Sequence, residues 1–331
     1  MRLNNNQLQN FITRIKLKAE NMPKYRDQIE VLKVKLQDKI NNDKRTGLRV
    51  SSFLLAGSWK KGTILRPTGD YPIDVDLVLF VEGDESITND LKKLHDYVVQ
   101  YLEDIYPTKD ISKDVDAEGN TKSIRIRFSG TKLEMDIVPV VPLKAPKGYV
   151  LQPQRGGGGN RYITSIYGQL DFAKSKKDLN PSYTAIVRAL KWWRNYKELS
   201  PSDDEGGLSS FTIELIVAYL DEKLGVEKNI ESGLIRFFQF VSDSSFPIIT
   251  FKSAINQVAK SSSPIYVADP TNNENNAAKK TDSASWKEIK TESNLAFEAL
   301  CISQSRSTEA ETISEWKSIF GPNFNIENIE A

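Results

Sequence analysis

The segment Ile73-Asp-Val-Asp-Leu-Val-Leu-Phe80 constrains this chain more than any other. Its composition suits a β-strand, and strand side chains alternate between two faces. Asp74 and Asp76 therefore share one face, while Ile73, Val75 and Leu77 share the other. Two carboxylates side by side in an apolar strand are costly, because like charges and desolvation both penalise the ionised form. A structural reason for keeping such a pair is hard to find. A bound divalent cation removes the cost by inverting the local electrostatics.

A second segment repeats the logic. In Leu133-Glu-Met-Asp-Ile-Val138 the apolar Leu133, Met135 and Ile137 share one face, and Asp136 lies on the other. As sheet neighbours, the two segments would bring Asp136 beside Asp74 and Asp76. Three carboxylates without His or Cys call for a hard, oxygen-ligated ion, Mg²⁺ or Mn²⁺. Upstream, Val50–Ala56 reads as a strand that ends in Gly57-Ser58 before a helix start. Such an end exposes backbone N–H groups suited to phosphate oxygens. Gly57 would let phosphate approach the backbone, and Ser58 adds a hydroxyl donor. The stretch Gly57 to Gly62 superficially resembles a P-loop, but that motif needs Lys where Thr63 stands.

Composition removes several other chemistries. The chain has one cysteine, Cys301, and one histidine, His95, so a disulfide framework is impossible and structural zinc is excluded. His95 falls in a charged helical stretch and reads as a surface or half-buried helix residue. The formal net charge is +1, from 45 basic and 44 acidic side chains. A general nucleic-acid binder carries a clear basic excess, so any polyanion handled here is small or held in a local pocket. No run approaches the apolar length of a membrane span, and the first residues lack a signal-type apolar core, which places the expected location in the cytoplasm.

Along the chain, 5–20 and 23–42 read as helices, with Pro23 at a first helical position. Residues 123–128 and 132–138 alternate around Ser129-Gly130 and predict a β-hairpin. Residues 141–180 read as irregular, with Gly156–Gly159 as a loop. From Tyr183 onward the chain reads helical, over 181–198, 209–224, 231–242, 252–260, 284–303 and 308–319. The expected organisation is a catalytic lobe with N-terminal helices over 1–145, connecting loops over 146–180, and a helical lobe over 181–331 that closes a cleft.

The order Gly-Ser, fifteen residues, Asp-x-Asp and a later Asp resembles the signature of the polymerase-β-like nucleotidyltransferase superfamily. Its slightly long spacing is similar to that of bacterial relatives of cyclic GMP-AMP synthase and oligoadenylate synthase, the cGAS/DncV-like nucleotidyltransferases (CD-NTases). Tyr183–Trp193 resembles their spine helix. Leu208-Ser-Ser-Phe-Thr-Ile-Glu214-Leu resembles a helix of their second lobe. Pro264–Asn276 resembles an Asp-Pro-x-Asn loop, although Asn273 stands where relatives often carry Pro. Trp316–Gly321 resembles their C-terminal segment.

The resemblance implies an α+β fold. It would be a polymerase-β-like mixed sheet with flanking helices, plus a C-terminal helical lobe of oligoadenylate-synthase type. It also implies two-metal chemistry: Asp74, Asp76 and Asp136 hold two Mg²⁺ or Mn²⁺ ions, one activating a ribose hydroxyl and the other neutralising the triphosphate. Gly57 and Ser58 would hold the triphosphate, and Lys191 and Ser210 would reach its outer oxygens. Plainer readings stand beside these. Lys191 also suits a solvated helix position, and Ser210 or Ser209 suits a helix N-cap. Trp192 and Trp193 read as core; Tyr266, Asp269 and Asn272 read as loop-fixing residues.

The implied activity is synthesis of a short cyclic oligonucleotide messenger from NTPs in bacterial anti-phage signalling. Its implied partners are an effector that senses the product and a ubiquitin-transfer-like enzyme acting at the C-terminus, with no membrane and no obligatory nucleic acid. The rivals are an RNA-tailing (CCA-adding or poly(A)) polymerase, a toxin-type nucleotidyltransferase that modifies a macromolecule, and a scaffold that only binds nucleotide. The near-zero net charge argues against the tailing polymerase, the large helical lobe against the toxin, and the complete carboxylate set against the scaffold.

Overall fold

A computed structural model describes residues 1–68, 71–115, 121–153, 161–201 and 206–328. Gly156–Gly159 lies outside the described residues, as does 329–331 at the C-terminus. Chain contacts separate two units, one of Leu17–Leu170 and one of Met1–Lys16 with Asp171–Ala331. The first sixteen residues therefore group with the helical unit, not with the catalytic sheet as the 1–145 boundary had it. The cause is the apolar stripe of α1 (Asn5–Ile15): Leu8, Phe11, Ile12 and Ile15 are all buried. Phe11 packs within 4.7 to 6.3 Å of the rings of Trp192, Phe320 and Phe324. A capping box between Asn4 and Gln7 starts this helix. Lys16 is extended and ends it, so no single helix runs over 5–20.

In the sheet unit, α2 (Met22–Asn42) carries Pro23 in its first turn and buries Tyr25, Ile29, Leu32, Leu36 and Ile40 at helical spacing. There follow β1 (Arg49–Leu55), the short α3 (Gly57–Lys61), β2 (Ile73–Glu82), α4 (Glu85–Thr88) and α5 (Leu91–Ile105). Then come β3 (Asp110–Val115), β4 (Thr121–Phe128), β5 (Leu133–Pro142), β6 (Val150–Pro153), β7 (Arg161–Thr164) and α6 (Ile166–Leu179). Among the described residues the sheet runs β1-β2-β5-β4-β3, with β6 added at β5 and β7 at β6. The β2–β5 pair is parallel and its other ladders are antiparallel, so the sheet is mixed. The expected hairpin is β4–β5, joined by 129–132.

The segment 141–180 is thus more ordered than its sequence suggests. Its two strands have four residues each, too few to show a period, and α6 has no strong apolar stripe. One face of the sheet forms the core with α2 and α5. Ile73, Val75, Leu77, Ile124, Ile126, Leu133, Met135 and Ile137 are fully buried there with Leu32, Leu36, Leu94 and Val98. Burying each such side chain contributes about 1.5–3 kcal/mol.

The second unit adds α7 (Tyr183–Tyr196), α8 (Ser210–Leu224), α9 (Ile230–Ser242), the short strands β8 (Ala268–Asp269) and β9 (Asn272–Asn276), α10 (Ser283–Ser305) and α11 (Glu309–Phe320). The expected helix over 252–260 does not form. Ile255 instead donates its N–H to Thr271 O and accepts from Asn273 N, and Asn256 sits at φ 60°. Ladder-type bonds to a distant segment displace the local helix there. Among the described residues no helix is long and apolar enough to cross a membrane.

Candidate active site

The site grows from the register of three strands. β2 pairs with β5 so that Asp74 lies opposite Glu134 and Asp76 opposite Asp136. β4 pairs with β5 so that Arg127 lies opposite Glu134 and Arg125 opposite Asp136. Directly opposite residues share a face, and adjacent strands lie about 4.8 Å apart. Asp74, Asp76, Glu134, Asp136, Arg125 and Arg127 therefore form one charged surface. The face behind it is apolar and fully buried.

Asp136 is held by Arg125. The guanidinium donates from Nε to Oδ1 at 2.8 Å and from Nη2 to Oδ2 at 3.0 Å. This bidentate geometry is the strong form of a charge-assisted bond. The same Nε stands 3.5 Å from Glu134 Oε2. Arg127 occupies the other oxygen of Glu134, from Nε to Oε1 at 2.8 Å, and also bonds Asp110 at 2.7 Å. The hydrogen bond to Asp136, and after it the charges of Asp136, Asp74 and Glu134, raise the Arg125 pKa further above its usual value, against the opposing effect of burial.

Gly57 also makes room for a neighbouring side chain. It lies at φ 54°, and a Cβ built on it would sit 1.6 Å from Asp76 Oδ2. The space beside Gly57 is thus taken by the Asp76 carboxylate, which no larger residue would permit. Ala56 N donates to Asp76 O at 2.9 Å and fixes the end of β1 against β2. Ser58 follows it in the first turn of α3, and its carbonyl accepts from Thr63 N at 2.9 Å as the turn closes. Gly62 caps α3 in the left-handed region at φ 72°.

The sheet unit holds Gly57, Ser58, Asp74, Asp76 and Asp136, and the other unit holds Lys191 and Ser210. Lys191 is buried on α7, at 5% exposure, which removes the solvated-helix reading. Ser209 is the N-cap of α8, accepting from Thr212 N, so Ser210 is the first helical residue. Arg194, one turn after Lys191, donates from Nη1 to Ser210 Oγ at 3.0 Å and to Leu208 O at 3.1 Å.

Trp192 and Trp193 are core, and His95 is fully buried, not half-buried as its charged neighbours suggest. Tyr266 donates to Asn273 O at 2.7 Å. Asp269 accepts from Thr271 N and Oγ1 at 2.8 Å each, and Asn272 accepts from Asn256 Nδ2 at 3.1 Å. These contacts tie the loop to itself and, through Asn256, to the segment before it.

Sequence reasoning missed Arg125 and Glu134. The signal was present in the strict alternation of Ser123–Phe128. With a four-residue loop, hairpin pairing from Phe128–Leu133 outward puts Arg125 opposite Asp136.

As a cation site, the donor set is all carboxylate, the chemistry a hard ion takes. Asp74 and Asp76 share a strand face, and Asp136 faces Asp76 across one ladder step. Yet no three His, Cys, Asp or Glu side chains among the described residues are gathered as an ion's shell. The residues fit a divalent cation by the chemistry of their donors and by the strand face they share, while Arg125 engages both oxygens of the third.

Residues 1–156 match the family described as the Second Messenger Oligonucleotide or Dinucleotide Synthetase domain. The CBASS oligonucleotide cyclase CdnC of Escherichia coli (strain KTE188) is 30% identical over 330 residues, 99% of each chain. The cyclic AMP-AMP-AMP synthase of E. coli (strain MS 115-1) is 29% identical over 317 residues, covering 93% of this chain and 92% of that one. Among solved structures, E. coli MS115-1 CdnC with ATP superposes at TM-score 0.78, with 25% identity, covering 98% of this chain and 99% of that one. The same CdnC in a HORMA-deltaN complex gives 0.76, with 24% identity and 98% of each chain.

Fold and comparisons together define a nucleotidyltransferase of the polymerase-β type. Within that class, the chain belongs to the cGAS/DncV-like nucleotidyltransferase (CD-NTase) family.

Proposed function

We propose that this enzyme joins NTPs, ATP among them, into a short cyclic oligonucleotide second messenger for bacterial anti-phage signalling. One observation carries the reading. Asp76 stands directly across from Asp136, shares its strand face with Asp74 and lies against Gly57, in a chain that aligns end to end with oligonucleotide cyclases.

Asp74, Asp76 and Asp136 supply the oxygen donors for two Mg²⁺ or Mn²⁺ ions. When bound, such ions supply Lewis-acid activation of a ribose hydroxyl and neutralise triphosphate charge. Gly57 keeps the end of β1 close to Asp76, and the first N–H groups of α3 with the Ser58 hydroxyl receive phosphate oxygens. Lys191 and Ser210 are assigned to the outer phosphate oxygens. Arg194 supports that assignment for Ser210. By donating to its Oγ, Arg194 leaves the Ser210 O–H as a donor for another acceptor.

Because a related CdnC assembles with a HORMA protein, a partner of that type is proposed here, together with an effector that senses the product. Conjugation at the C-terminus by a ubiquitin-transfer-like enzyme is the other partner reading. The RNA-tailing and toxin readings use the same carboxylates, but end-to-end likeness to cyclases favours the messenger.

The test is mass spectrometry of products from purified protein, with and without a HORMA partner, given four NTPs and Mg²⁺ or Mn²⁺. A cyclic oligonucleotide formed without primer is expected, and it should vanish in an Asp74→Ala/Asp76→Ala variant. Nucleotide transferred only onto RNA or protein would instead establish one of the rivals.

A further inference from the structure

We propose that Arg125 is a built-in counter-ion that competes with the divalent cation for Asp136, so that the nucleotide-free site takes the cation weakly. The inference rests on the carboxylate assignment above and deepens it.

Three observations carry it. The guanidinium engages both oxygens of Asp136, at 2.8 and 3.0 Å, so one acceptor site on each oxygen is occupied. The pair is partly shielded, with side-chain exposures of 31% for Arg125 and 14% for Asp136, so water screens it less than an open surface pair. Among the described residues no three acidic side chains are gathered as an ion's shell.

A guanidinium does not deprotonate, so it must move aside to yield. The structure provides a place for it. Glu134 Oε2 lies 3.5 Å from Arg125 Nε, while Arg127 holds the other oxygen of Glu134. A shift of Arg125 toward Glu134 exchanges one carboxylate for another and frees Asp136 at little electrostatic cost. The cation then gains its third donor chiefly when a triphosphate arrives with it and adds oxygens of its own. An empty site would thus resist idle cation binding and keep one of its three like charges compensated.

The test reads Mn²⁺ binding directly, by electron paramagnetic resonance of free Mn²⁺ without nucleotide. Arg125→Met should bind Mn²⁺ about 10-fold tighter than wild type, as expected for loss of a charge-assisted competitor. Arg125→Lys, which keeps the charge but offers a single point donor, should fall between them. Adding Asp136→Asn to Arg125→Met should erase the gain. A purely structural role for Arg125 would leave affinity unchanged or weaken it, and either result in a variant with wild-type circular dichroism overturns the proposal. If Arg125→Met does not fold, Arg125→Lys decides by the same sign. The site assignment is tested separately by Asp74→Asn/Asp76→Asn with ATP present. If that variant still binds Mn²⁺ as wild type does, the carboxylate assignment falls and takes this inference with it. If binding is lost there but Arg125→Met shows no tightening, only the counter-ion proposal fails.

Discussion

The two faces of β2, β5 and β4 are built from alternate residues of the same three strands, yet around Asp76 and Asp136 they are chemical opposites. Ile73, Val75, Leu77, Leu133, Met135, Ile137, Ile124 and Ile126 make one face, all fully buried. Asp74, Asp76, Glu134, Asp136, Arg125 and Arg127 make the matching stretch of the other, which turns apolar and buried farther along β2 and β5 at Val78, Phe80, Val138 and Val140. The difference teaches that stability and chemistry here are separated by a single residue step along each strand. Substitutions on the charged face should therefore cost activity first, and those on the apolar face should cost stability first.

The largest expected effect tests the charged face. Asp74→Ala/Asp76→Ala should lower product formation by at least about 10³-fold, equivalent to about 4 kcal/mol in barrier. Its thermal midpoint should stay near that of wild type or rise, because clustered like charges are removed. A large drop in midpoint would break the separation.

The opposite face is tested by Met135→Ala, one residue from Asp136. It leaves a cavity in the core and should destabilise by about 2–5 kcal/mol in urea unfolding. The protein that remains folded should keep most of its turnover.

Gly57→Ala sharpens the boundary, because its new methyl would meet Asp76 Oδ2 and its φ of 54° is strained for alanine. It should lose about 1–3 kcal/mol of stability and also reduce turnover, the one substitution here to cost both.

The smallest effect lies beneath the apolar face. Tyr101 on α5 is buried, bonds Thr46 at 3.1 Å and donates to Asp43 at 3.0 Å. Burial is the chief cause that pushes its pKa up to about 12. A raised folded pKa means the associated stability is fully present below the unfolded value near 10 and is lost as pH climbs through about 12. Tyr101→Phe should cost about 1 kcal/mol at neutral pH and flatten this alkaline loss in thermal melts between pH 9 and 12 (about that range).

Much of the candidate site's layout was legible in residue order. The face shared by Asp74 and Asp76, the hairpin of Asp136 and the Gly-Ser turn all follow from short-range patterns. Arg125 was legible too, had the hairpin register been carried outward from its loop. Other features were not. The burial of α1 against Trp192 and Phe320 joins segments far apart in sequence, and a helix stripe does not name its partner. Residues 252–260 look helical locally, but backbone pairing of Ile255 with Thr271 and Asn273 wins. Short β6 and β7 have no period to read.

By itself, the sequence determined which side chains share a face, because a strand repeats every two residues whatever surrounds it. It also determined that those side chains are carboxylates, and so which ions they suit. Only the tertiary structure decided that β2 and β5 lie side by side, parallel and in the register that sets Asp76 against Asp136. It also decided that Asp76 fills the space beside Gly57. Pairing between strands so far apart is chosen by burial of the whole apolar face at once, a sum over the fold that no local stretch contains.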